Sequence, residues 1–473
     1  VSTTMHFMPG CEILQSFDLV HWEHVTYVYE TLDHTDAQQL KSGQNIYGQG
    51  MWAASLRYHE GRFCICFVAN DTRKTYLYTS EKIDGPWKKQ LIEGFYHDGS
   101  LLFDEDGRNY IVYGNDEIWI TELNEDLTAP KKDGLHRLLV SDHKNPELGY
   151  EGSHIQKING YYYIFLVHSL RDRWMRTEAC FYSDSLEGEF TGGDVLCDDR
   201  GYCGQGVAQG GIVDTPDGKW YAMLFQDSGA VGRIPILVPV TWKDHFPFFG
   251  QNGHVPEEIE VHSTRPGYIY QPLVGSDDFC NGLLPRWQFN HDPDPRYYHL
   301  DALQGTYTIT TREVCTELTQ AVNTLTQRMS YPSCAAEVTV DASALKEGDV
   351  AGLCALQSCY AAVGITKHHG KYEVLMLDKK EDGILDMTEG TVVESHQMDF
   401  RLEADFCNMK DEARCYYRVN KGDWLPIGTV HKLYFKLDHF TGCRFGLFCY
   451  AAEETGGSAC FRDFKYYDVD EIS

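Results

Sequence analysis

Short segments in which apolar and polar residues alternate dominate the chain, and long Ala/Leu/Glu/Lys stretches of helical type are scarce. A period of two is that of a strand with one buried face. Four segments share a sharper pattern, a turn glycine between polar residues followed by an aromatic-rich strand: His59–Phe67, Glu105–Tyr113, Ile158–Phe165 and Pro216–Leu224. An Asn-Gly or Asp-Gly turn between alternating strands is a strong hairpin signal. The turn glycines Gly61, Gly107, Gly160 and Gly218 are 46, 53 and 58 residues apart. A strand-rich repeat of that period predicts the blades of a β-propeller.

A second element follows three of these hairpins, a polar residue and then a short polar stretch closing on an aromatic residue or leucine: Ser80–Trp87, Glu122–Leu127 and Ser183–Phe190. It occurs once more at Ser16–Trp22, with no hairpin glycine before it, so the chain is expected to start inside a blade and the intact repeat to count five. Nine residues ahead of the four turn glycines stand Trp52, Asp98, Glu151 and Gln209. In a propeller the first strand of each blade lines the central channel, so equivalent positions on these strands converge. The register therefore predicts an indole, two carboxylates and an amide in one place. Charges gathered on an axis are costly unless used or paired.

The pattern changes near Ser263–Pro272, which reads as an extended linker. We divide the chain into a propeller over 1–262, a linker over 263–275 and a second domain over 276–473. In the last, alternating segments such as Thr306–Thr311, Cys334–Asp341 and Lys371–Leu377 predict a β-sandwich. The fold class is all-β.

Composition narrows the chemistry. Lys+Arg 41 against Asp+Glu 70 gives a net charge of −29, which argues against nucleic acid and against an anionic membrane surface. A neutral partner is expected. No apolar run is long enough to span a bilayer, and Val1–Phe7 lacks a signal-peptide pattern, which favours a cytoplasmic location. The chain does not open with Met, so its true N-terminus is left open. The sixteen cysteines contain no C-x-x-C and are expected to be reduced and mostly buried; Cys64 and Cys66 share one face of a strand. No histidine or cysteine spacing suits zinc, no G-x-S-x-G elbow is present, and Gly204–Gly210 has the wrong spacing for a dinucleotide loop.

Two carboxylates on one register suit glycoside hydrolysis, which needs a proton for the leaving oxygen and a second carboxylate to activate water or attack carbon. Glu151, in Tyr150–His154, sits where desolvation would raise its pKa as a general acid requires, and Asp98 would tune that pKa or orient the substrate.

At this point the residues carry a resemblance. Ser2–Gly10, Ser16–Trp22, Met51–Tyr58, Tyr96–Asp104, Glu151–His154 and Gly232–Val240 resemble segments of glycoside hydrolase family 43. Ser276–Phe279, Trp287–His291, Thr324–Arg328 and Gly352–Gln357 are similar to the concanavalin-like C-terminal domain of that family's β-xylosidases and arabinofuranosidases. The resemblance implies a five-bladed propeller followed by a concanavalin-like sandwich that packs beside it and helps close the pocket. It also implies inverting, exo-acting chemistry on terminal α-L-arabinofuranosyl or β-D-xylosyl units of hemicellulose oligosaccharides. It makes Glu151 the general acid and Asp98 the pKa modulator, and places Trp52, His97, Gln209 and Arg233 around the sugar.

Two departures qualify it. The family's base, an Asp in a Pro-Asp motif of the first blade, would precede Ser2, and no such residue lies within the chain; Asp18 belongs to an ordinary blade turn. Gln209 replaces the channel histidine that many members associate with a metal, and the closing Asp-x-Asp of the second domain reads Cys460-Phe461-Arg462. We therefore expect no required cofactor and no metal among the site residues, with room for a structural calcium. The alternative is a carbohydrate-binding propeller without catalysis, consistent with the absent base. Oligomeric state is not predicted.

Overall fold

In a computed structural model describing residues 1–468, the regular elements of the described chain are strands apart from four three-residue helical turns. Four antiparallel four-stranded sheets follow one another. Blade I contains Ser55–His59, Arg62–Ala69, Lys74–Ser80 and Lys88–Ile92, and blade II Ser100–Phe103, Asn109–Asn115, Glu117–Leu123 and His136–Ser141. Blade III contains Glu151–Ile158, Tyr161–Ser169, Arg176–Ser183 and Thr191–Leu196, and blade IV Ala208–Asp214, Trp220–Asp227, Arg233–Lys243 and Phe246–Phe249. Each predicted turn glycine joins the first two strands of a blade. Glu60-Gly61 and Asn159-Gly160 have φ of 47° and 78° and of 51° and 86°, the double left-handed conformation of a tight hairpin.

These sheets make a propeller with four complete blades. The count of five expected from the sequence is not confirmed: beside the four blades stands a sheet of two strands only, Gly10–Gln15 and Glu23–Tyr29, joined by Ser16–Trp22. Ahead of Gly10, the strand Phe7–Met8 pairs with Phe289 and Asn290 of the second domain rather than with a blade.

Neighbouring blades pack through their apolar faces. Cys64, Cys66 and Leu77 of blade I meet Leu101 and Ile111 of blade II, and Phe165 and Cys180 of blade III meet Leu224 and Val238 of blade IV. All sixteen cysteines are free thiols, ten of them buried. Near the axis, Arg57 of blade I donates to the carbonyls of Leu101 in blade II (3.0 Å) and Ile155 in blade III (2.8 Å). A buried guanidinium with its donors satisfied in this way locks three inner strands together.

Two larger sheets form the second domain. One has nine strands, with Arg444–Ala451, Asp349–Leu356 and Ala361–His368 at its centre; the other has seven, with Ser458–Asp468, Ser333–Asp341 and Gln397–Asp405 at its centre. Leu353, Val363 and Leu447 of the first face Val338, Phe400 and Phe461 of the second across one core. The segment Ser263–Gly275 lies back on the two-stranded sheet: Thr264 donates to the Phe17 carbonyl (2.7 Å) and Phe17 to the Tyr270 hydroxyl (2.7 Å).

Phe7 is fully buried among Leu356, Tyr360 and Phe448, with the Arg444 guanidinium 3.9 Å from its ring centre. Phe7→Ala is expected to lower stability by about 3–5 kcal/mol in denaturant unfolding. Leu303→Ala, at a side chain 94% exposed, should stay within about 0.5 kcal/mol.

Candidate active site

The sequence places Asp98 and Glu151 at one register, and the backbone brings them together. Asp98 stands two residues ahead of the first strand of blade II, in the left-handed region with φ 47°, and Glu151 opens the first strand of blade III. A non-glycine residue at such φ is strained, which aims its side chain where a regular strand would not. Two serines sew the blades together here. The Ser153 hydroxyl lies 2.8 Å from the carbonyls of both Asp98 and Val112, and Ser100 accepts from the Ile155 amide at 3.1 Å.

His97, Asp98 and Glu151 form a compact group whose ligand atoms all lie within 4.8 Å of one another. His97 Nε2 is 3.6 Å from Glu151 Oε2 and 3.7 Å from Asp98 Oδ2. Asn115, at the end of a blade II strand, donates from Nδ2 to Glu151 Oε2 at 2.9 Å. Asp98 is only 6% exposed, and burial pushes its carboxyl up to about 6; the Glu151 charge adds to the rise, while His97, Arg233 and the Gly152 amide oppose it. Burial would lower His97, but Glu151 and Asp98 beside it raise it overall.

Trp52 and Gln209 complete the register. The Trp52 ring centre is 6.2 Å from that of His97. Gln209, with φ 65°, lies against Gly152, where a Cβ would come within 2.8 Å of the amide side chain; only glycine fits beside Glu151. The backbone N–H of Gln209 donates to Glu178 Oε2 at 2.7 Å, and Glu178 is a fully buried carboxyl that desolvation holds well above the usual carboxylate range. Four buried polar atoms of the predicted residues, Trp52 Nε1, His97 Nε2, Asp98 Oδ1 and Gln209 Oε1, have no hydrogen-bond partner. Such groups are costly to bury and suit a hydroxyl-rich ligand that pairs with them.

Arg233 joins the group from the opposite wall. Its Nε donates to Asp227 Oδ1 at 3.2 Å, and Arg176 holds the other oxygen of the same carboxylate. Burial, reinforced by Arg176, lowers Arg233 to about 10, still above physiological pH. Its guanidinium lies between two rings, 4.4 Å from the centre of Phe225 and 4.2 Å from that of Phe440. The Nε bond to Asp227 is the side-chain hydrogen bond Arg233 makes among the described residues, so its terminal amino groups keep their donors.

Phe440 comes from the second domain. It stands edge-on to Trp52 at 5.4 Å, closing the wall between Trp52 and Arg233. The loop carrying it is clamped to the turn before Arg233: Cys443 donates to the Ala230 carbonyl (2.8 Å), and Ala230 donates to Asp411 (3.1 Å). A Cβ on Gly232 would come within 2.6 Å of the Gly442 backbone nitrogen, and one on Gly442 would overlap the Val231 carbonyl oxygen. Sequence reasoning missed Phe440, Asn115, Asp227 and Glu178. Asn115 and Asp227 close the second strands of their blades and could be sought by extending the register; Phe440 has no signal in the repeat. Asp18 is spent on a turn, accepting from Ser16, Val20 and His21, and takes no part in the site.

With this geometry established, the relatives of the chain become informative. Residues 1–247 match the model of glycosyl hydrolases family 43, and residues 276–467 match that of the β-xylosidase C-terminal concanavalin A-like domain. The chain is 25% identical to a β-xylosidase of Formosa agariphila, covering 99% of this chain and 85% of that protein. It is 22% identical to a non-reducing end α-L-arabinofuranosidase of Bacteroides ovatus, over 82% of this chain and 75% of that one. Among solved structures, a bifunctional GH43-CE protein of Bacteroides eggerthii superimposes with a TM-score of 0.91 at 41% identity, over all of this chain and 61% of its own length.

The position of Asp98 predicts a pH signature. A carboxyl raised from 3.8 to about 6 on folding binds its proton more tightly in the folded state, so its contribution is lost as pH rises between those values. Asp98→Asn should therefore be more stable than wild type by about 3 kcal/mol above pH 6. The difference should vanish below pH 4 in unfolding measured across that range.

Proposed function

Because the chain belongs to glycosyl hydrolase family 43, we propose that it is an exo-acting, inverting glycosidase releasing terminal α-L-arabinofuranosyl or β-D-xylosyl units from hemicellulose oligosaccharides. The observation that carries this reading is the His97–Asp98–Glu151 group, ringed by buried polar atoms that lack partners.

The terminal sugar lies against the wall that Trp52 and Phe440 make, with Arg233 and His97 donating to its hydroxyls. Glu151 gives its proton to the glycosidic oxygen as the bond to the anomeric carbon breaks. Water adds to that carbon from the opposite face and gives up a proton to a base. Asp98 is not that base. One of its oxygens lies within 4.8 Å of one of Glu151's, whereas an inverting acid and base stand about 6.5–9.5 Å apart to admit the water. Asp98 instead stands beside Glu151 as the modulator that the resemblance implies, its own carboxyl raised by burial and by the Glu151 charge. The base is a third carboxylate, which the resemblance puts in the first blade.

The same reading extends to architecture. The two-stranded sheet is the outer half of a fifth blade, since Ser16–Trp22 joins its strands as Ser80–Trp87 joins the last two strands of blade I. The second domain is a concanavalin-like sandwich, with the divisions 1–262, 263–275 and 276–473. No cofactor is required. Gln209 Oε1 and Glu178 Oε1 are buried oxygens without partners and suit a hard, oxygen-seeking cation; a calcium held there would brace the channel.

Glu151→Ala in the full-length protein is expected to lower kcat on p-nitrophenyl α-L-arabinofuranoside and β-D-xyloside by about 10²–10⁴-fold. Unchanged turnover would remove Glu151 from the acid's role, and sugar binding without hydrolysis by the wild type would favour the non-catalytic alternative. Chelation with EDTA should leave kcat within about twofold, because the proton transfers need only carboxylates; a larger loss, restored by calcium, would make the ion essential.

A further inference from the structure

Flat side chains continue outwards from the pocket wall. Phe440 stands beside Trp52, the Arg233 guanidinium packs on Phe440 and on Phe225, and the Arg176 guanidinium lies 5.4 Å from the centre of Phe225. Arg176 in turn lies 5.5 Å from the ring of Trp174, where the run reaches solvent. Of the nine tryptophans, Trp174 is the one that is exposed, at 42%. The others are buried or half-buried.

The location of Trp174 gives this exposure a meaning. It lies in the loop between Tyr161–Ser169 and Arg176–Ser183 of blade III. Those strands run antiparallel, and Val167 pairs both with Glu151 and with Glu178, so the loop emerges at the Glu151 end of the blade. The loop is held in shape: Leu170 donates to the Met175 carbonyl at 3.1 Å, and Met175 to the Ser169 hydroxyl at 3.3 Å. A general acid protonates the oxygen that departs with the leaving group, so the departing sugar must lie on Glu151's side. Blade III is that side. Arg171 and Arg173 flank Trp174, but each is paired with a carboxylate, Asp142 and Asp172, which damps their pull on an acidic substituent. What remains is an aromatic face for a neutral ring.

The geometry points to Trp174 as the platform for leaving-group-side sugars of a longer substrate chain, neutral pentosyl units beyond the scissile bond. This inference rests on the glycosidase reading above. Each sugar stacked on such a face adds free energy equivalent to about a tenfold change in affinity.

The test compares kcat/KM on xylo-oligosaccharides of two, three and four units, with and without arabinofuranosyl branches. Wild type should gain about tenfold from the shortest to the longest, mostly in KM. Trp174→Ala should lose that gain at an unchanged melting temperature, and Trp174→Phe should restore most of it. An equal gain in Trp174→Ala and wild type, or no gain in wild type, would overturn the assignment. If wild type releases no pentose at all, the glycosidase reading fails separately. Calorimetry with the tetrasaccharide then decides: binding about tenfold weaker in Trp174→Ala supports the platform, and equal or absent binding overturns it.

Discussion

Two carboxyl groups held within 4.8 Å of each other, one of them almost wholly buried, are the constraint around which the channel is built. Left to themselves, like charges in a poorly solvated place separate or neutralise. Here separation is blocked by the backbone. Serines link blades II and III, Arg57 ties three inner strands, and Gly152 lets Gln209 press against the strand that carries Glu151. Neutralisation is what remains, and the high pKa of Asp98 records it. The spacing that would be a liability elsewhere is held fixed at the mouth of the channel.

The second domain bears on the chemistry through contact. Its Phe440 loop covers one face of Arg233, while the turn that launches Arg233 is fastened to Asp411 and Cys443. The guanidinium is thus fixed at Nε by Asp227 and on both faces by rings, leaving little freedom except at its terminal amino groups. Rigid, planar donors lose less entropy on binding than mobile ones.

Much of the blade architecture and half of the pocket were legible in the chain because a repeat converts sequence position into spatial position. The turn glycines gave the hairpins, and counting nine residues back from each gave Trp52, Asp98, Glu151 and Gln209, which the channel does assemble. The same device fails where the repeat does not reach. Phe440 arrives from a sandwich loop with no register to the blades, and Trp174 lies in a loop whose length differs from blade to blade. The pairing of Phe7–Met8 with residues 289–290 is a contact between distant segments that neither periodicity nor turn chemistry encodes. Glu178 was passed over because a carboxylate within an apolar strand reads as surface until its burial is seen.

The seat of Phe7 in the far domain has a consequence for how the molecule comes into being. Phe7 leaves the ribosome hundreds of positions before its partners Tyr360 and Phe448 and the nearby pocket residue Phe440. At ordinary translation speeds that delay is on the order of tens of seconds, during which blades can form but neither the Phe7 contact nor the pocket wall can. Chain closure of such span is entropically slow. Newly made chains thus pass through a stage with folded blades and an open, unwalled channel, and the wall beside Trp52 is completed only once Phe440 has emerged.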